Sequence, residues 1–201
     1  MANTNRVNGF RPVKHLNGSP YNGAFNKYVV VAADATAIYV GDLVKTDGAG
    51  DLTTGLPTVT RAAATNVMRG VVVGFEPDPT ALDTPSPQRR AASTRRIVYV
   101  ADAQDLIFEA QEDGDTTPIA VASIGLNASM ISTSGGDTLT GASGMQIDSS
   151  SASTTATLEL KLLGVVQRAD NELVTAGQAY TRWLVKINAH ELATGTGSAG
   201  V

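Results

Sequence analysis

Cysteine is absent from the 201 residues, so neither disulfides nor thiolate-held metals stabilise this chain. Charge is sparse at 17%, against about 25% in ordinary globular proteins. Aromatic side chains are few (four Phe, five Tyr and one Trp), so Val, Leu, Ile and Ala must supply most of the buried surface. No apolar run nears the roughly 20 residues that span a bilayer, and the opening "MANTNRVNGF" lacks the apolar centre of a signal peptide. The expectation is synthesis and residence in a cytosolic compartment, with no membrane contact. A formal charge of -4 gives the whole molecule no reason to seek nucleic acid.

The chemistry of catalysis is equally thin. The two histidines, His15 and His190, sit in no recognisable motif, and no Gly-x-Ser-x-Gly elbow occurs. "TDGAGDLTTG", residues 46–55, has the glycines of a phosphate loop without its lysine, and reads as a hairpin loop. No catalytic residue, metal site or cofactor is expected, and the chain reads as a non-enzyme.

What is present is abundant Gly, Ala, Ser and Thr with β-branched runs, which predicts a mainly β fold. The expected body is a compact β-sandwich or β-barrel-like unit with at most one or two short helices. Residues 28–45, "YVVVAADATAIYVGDLVK", predict a strand pair. Strands are also expected in residues 67–75, 97–101, 105–111, the Leu158, Leu160, Leu162 alternation and "YTRWLVKINAHE". Residues 80–96 read as a long exposed loop. Residues 117–126, with Pro118 early and Gly125 late, are the one helical candidate. The Ser/Thr/Gly-rich stretch 128–155 predicts short strands and mobile turns outside the core.

Three parts follow: an extended N-terminal arm over residues 1–27, a β-rich body over 28–191, and a flexible tail over 192–201. The arm carries Arg6, Arg11, Lys14 and Lys27 against no acid, together with three Asn-Gly pairs and two prolines. Asn and Gly tolerate positive φ, and each Pro holds its predecessor extended, so the arm reads as turn-rich without a core of its own. Arg89, Arg90, Arg95 and Arg96 face no interleaved aromatic residue and suit a protein contact better than nucleic acid. The acidic set Asp102, Asp105, Glu109, Glu112, Asp113 and Asp115 does not match calcium-loop spacing. It suggests an acidic contact surface, with Asp113 and Asp115 complementing the arginines between copies.

The ordered segments "NGFRPVKHLNGSPYNG", "DATAIYVGDLVK", "PTVTRAA", "GVVVGFEPDPT", "RRIVYVADAQDLIFEAQED", "IGLNA", "LLGVVQRADNE" and "WLVKINAHE" resemble tailed-bacteriophage capsid decoration, or cement, proteins over about residues 7–191. The resemblance implies a structural virion protein, made in the host cytoplasm. It would bind the outer capsid surface and bridge neighbouring major capsid protein subunits, as a homo-oligomer with a trimer favoured and a dimer possible. On that reading Arg6, Phe10, Arg11, Lys14, His15 and Tyr21 would grip the capsid, with Phe10 and Tyr21 as apolar anchors. The competing readings are a tail, neck or fibre component, or a carbohydrate-binding β-sandwich with an exposed aromatic platform.

Overall fold

Valine builds one of the two cores. The computed structural model describes residues 3–78, 88–172, 174–193 and 197–200, and within them the fold is mainly β. The strands are β1 (Arg11–His15), β2 (Asn26–Val30), β3 (Ile38–Tyr39), β4 (Leu43–Gly50), β5 (Pro57–Arg61), β6 (Gly70–Phe75) and β7 (Arg89–Arg90). They continue with β8 (Arg96–Ala101), β9 (Leu106–Gln111), β10 (Asn127–Ala128), β11 (Met130–Ile131), β12 (Gln146–Ile147), β13 (Leu160–Val165) and β14 (Arg182–Ile187).

Strands β2, β5, β4, β6 and β8 close a five-stranded barrel in that order. Its contacts are antiparallel except for β2 beside β5, joined at Val29 and Thr58. Val30, Val44, Val59, Val72, Val98 and Val100 fill it with Tyr28 and Ile38. Short, stiff β-branched side chains suit so narrow an interior.

The second layer is a five-stranded sheet in the order β1-β9-β14-β13-β10, its described pairings all antiparallel. Phe108 and Ala110 of β9, Leu160 and Leu162 of β13, and Trp183, Val185 and Ile187 of β14 supply its buried face. Phe10, Met68, Met130, Met145 and Ile147 pack against them. Strand β6 serves both cores, because Val71 faces the sheet side while its neighbour Val72 faces the barrel interior.

Several expectations change here. Residues 28–45 do not pair with one another: β2 joins β8 and β5, β3 joins β7, and β4 joins β5 and β6. Barrel closure needs those partners, and no single hairpin supplies them. The helix expected at 117–126 is a 3-10 turn, Val121–Ser123. The Ile119 amide is taken by the Glu112 carboxylate and the Val121 amide by the Thr175 carbonyl, so helical pairing does not propagate.

The stretch 128–155 does enter the core, through Met130, Met145 and Ile147, all buried. The expected loop 80–96 extends beyond the described residues, but its described part contains β7 and the fully buried Arg90. Residues 197–200 of the expected tail lie docked on the body. Ser198 bonds the side chains of Asn127 and Asn188, and the Ala199 carbonyl accepts from Lys161. The expected hairpin loop in residues 46–55 is present, joining β4 to β5.

The tip of that hairpin has a twin that sequence reading passed over. In "GDLTTG" and "GDTLTG", Asp51 and Asp137 accept from a threonine three residues on. Gly55 and Gly141 then close each turn at φ +71° and +74°, their amides donating 2.8 Å bonds to the Asp51 and Asp137 carbonyls. Each turn holds up an exposed leucine, Leu52 and Leu139.

Candidate interaction surface at the N-terminal rim

The residues expected to form an arm divide in two. Phe10 is 1% exposed and belongs to the main core, and β1 pairs along β9, so residues 10–15 are part of the body. Gly9 (φ +64°) and Gly41 (φ +97°) make this possible: a Cβ at Gly9 would lie 2.5 Å from the Gly41 carbonyl, which accepts from the Phe10 amide at 2.9 Å. Phe10 is therefore an internal anchor, not one held out to a neighbour. Residues 3–8 remain a surface strap, with Thr4, Asn5 and Arg6 exposed, and residues 16–25 form a second, largely exposed turn-rich segment.

That strap is held by side chains. Gln111, buried at the end of β9, accepts from the Arg6 amide at 2.9 Å. It donates through Nε2 to the carbonyls of Thr4 and Tyr180, both at 2.9 Å. Asn3 accepts from the Glu172 amide at 2.7 Å and donates to Thr181 Oγ1 at 3.0 Å. Arg182 donates to the Arg6 carbonyl at 2.9 Å while pairing with Glu109 at 3.1 Å. Arg168 bridges Glu109 and Asp170, and this bond holds the Asp170 carboxyl below its usual range.

Beside the strap lies an open cleft of about 430 Å³, rimmed by Arg6, Arg168, Asp170, Glu172, Tyr180 and Arg182. Tyr180 sits in the left-handed region at φ +65°, and its ring lies against Gly114, where any Cβ would overlap it. The rim offers main-chain groups and balanced charges, a surface suited to extended polypeptide.

The other expected contacts scatter. Arg11 is exposed opposite Glu109, Lys14 is half-buried, and His15 meets Asp105 at 3.1 Å. The Tyr21 hydroxyl donates to the Ala24 carbonyl at 2.8 Å, and burial raises its pKa. Arg90 is withdrawn from any surface. It is fully buried and donates to the carbonyls of Val31, Asp34, Thr36 and Thr94, clamping two loops. Arg95 pairs with Asp51 at 2.7 Å, and Arg96 donates to the Arg89 and Glu76 carbonyls while lying over Phe75. Within one chain these arginines make no contact with Asp113, which accepts from the Ser149 amide, or with the exposed Asp115.

The acidic run disperses too. Asp102 is buried and accepts from Tyr28, Asn26 and Arg69 at 2.6, 2.8 and 3.1 Å. Burial and this carboxylate push the Tyr28 phenol up to about 12. Nearby, His190 is buried, and burial with the Arg69 charge lowers its pKa. Glu112 is wholly buried in the main core, and burial raises it to about 7. Among the described residues no three His, Cys, Asp or Glu side chains are placed to hold a metal.

Trp183 lies in the core, while Phe25 stacks on Tyr99 at 4.3 Å on the barrel exterior with Lys27 above the Tyr99 ring. Gln111, Arg168, Asn171, Tyr180 and Arg182, which build the rim, carried no motif. The available signal was Gln111, a neutral polar residue ending the alternating strand 105–111. Set against family models, curated proteins and solved structures, the chain matches none.

Proposed function

We propose that this protein is a structural component of a tailed-phage virion, which binds the outer surface of the icosahedral head and cements neighbouring major capsid protein subunits. The observation that carries this reading is the rim: a surface strap held by neutral side chains beside a cleft of balanced charge. Such a surface suits contact with an extended polypeptide. The ordered sequence resemblance supports the same reading. A ligand that binds only the assembled lattice stabilises it by mass action, and many weak contacts add up across a shell. Arg11 and Lys14, on the adjoining strand β1, are the cations available to acidic capsid residues.

Quantifying the chain in purified particles tests this directly. A decoration protein approaches the copy number of the capsid protein. A few copies per particle would instead assign it to the tail, neck or fibre. Purified chain added to preformed heads lacking it should bind and raise their resistance to heat, and failure to bind would overturn the cement role.

A further inference from the structure

The strap has a second edge. In an extended chain the carbonyl of residue 4 and the amide of residue 6 point to one side, and both groups of residue 5 point to the other. The Gln111 amide fills the first side as a paired strand residue would. Asn5 is exposed and makes no hydrogen bond among the described residues, so on this geometry its amide and carbonyl are left for an outside partner.

We propose that residues 4–6 pair antiparallel with the same residues of a second copy of this chain, about a two-fold axis at Asn5. Each Asn5 exchanges both backbone hydrogen bonds with its counterpart, and Thr4 stands opposite Arg6. An isologous contact must be self-complementary. This rim is close to neutral, which such a contact tolerates: Arg6, Arg168 and Arg182 offset Glu109, Asp170 and Glu172, whereas the chain as a whole carries -4. Two copies therefore meet here without the repulsion that opposes them elsewhere, and a strongly charged foreign partner gains no attraction. Gln111, itself buried and fully bonded, keeps the edge in place.

So short an edge forms a weak pair, favoured where copies are concentrated. The contact does not depend on the reading as a head protein, since it concerns the isolated chain and not its addition to heads.

The absence of native cysteine makes the register measurable. Opposed residues at the two-fold have Cα atoms within disulfide reach, so Asn5→Cys should oxidise to a dimer about tenfold faster than the control Thr53→Cys on an exposed hairpin tip. A mixture of Thr4→Cys and Arg6→Cys should cross-link as a heterodimer faster than either variant does alone. Adding Gln111→Ala to Asn5→Cys should bring its rate down to that of Thr53→Cys, with thermal melts confirming that each variant folds. An Asn5→Cys rate equal to the control, or a Thr4→Cys and Arg6→Cys mixture without heterodimer excess, would overturn the pairing.

Discussion

Two buried charges show how much of this protein is settled by single side chains. Glu112 has no exposed surface, one carboxyl oxygen accepts from Ile119, and the other makes no well-formed hydrogen bond among the described residues, with the Trp183 ring nitrogen as its polar neighbour. Burial raises its pKa from 4.5 to about 7, so the folded state keeps a proton that the unfolded chain releases. Stability from this group is intact below pH 4.5 and falls as pH rises to about 7, by on the order of 3 kcal/mol. Denaturant melts between pH 4.5 and 8 should show that decline, and Glu112→Gln should flatten it and stabilise the protein at pH 8. Arg90 poses the opposite case, a buried cation whose guanidinium is satisfied by four carbonyls. Arg90→Ala leaves those carbonyls unpaired and should cost about 3–5 kcal/mol in chemical denaturation, a folding defect and not a binding one.

At the scale of elements, the N-terminal residues carry the clearest consequence. Removing residues 1–8 cuts the strap but spares Phe10 and β1, so the truncated chain should stay folded. Its melting temperature should drop by a few degrees, consistent with the loss of about 1–2 kcal/mol of side-chain to backbone bonds. Removing residues 1–27 deletes a core phenylalanine, an edge strand and the start of β2, and should yield no cooperative melt. Circular dichroism on the two truncations separates strap from body. Similarly folded proteins would show that β1 adds little. The twin turns at Asp51 and Asp137 make a related point, since two six-residue segments with the same Asp, Thr and Gly spacing reach the same bonds between different strand pairs.

Across the whole molecule, barrel and sheet are fused through β6, β4 and β8, where Leu43, Val71 and Ala101 join the main core and Val44, Val72 and Val100 the barrel core. Substitutions in either layer should therefore lower one shared unfolding transition. Val72→Ala in the barrel should cost about 1–3 kcal/mol and Leu162→Ala in the sheet about 2–5 kcal/mol. Separate calorimetric transitions would show two independent units.

Much of this was legible in advance. The mainly β fold and strands such as β9, β13 and β14 follow from alternation in residues 105–111, 158–162 and 180–191, because side-chain period is a local property. The rim was not legible, because Gln111, Arg182 and Asn3 are far apart in sequence and only strand pairing brings them together. Phe10 and Arg90 misled for the same reason. Surrounded by turn and loop residues, each reads as exposed, yet each is buried by segments more than 30 residues away in the chain. The sequence by itself determined the class of structure and excluded cysteine chemistry, since composition and periodicity need no partner. Which strands meet, which charges are buried and which edge stays open were decided only by the tertiary structure, because burial and pairing belong to contacts between distant segments.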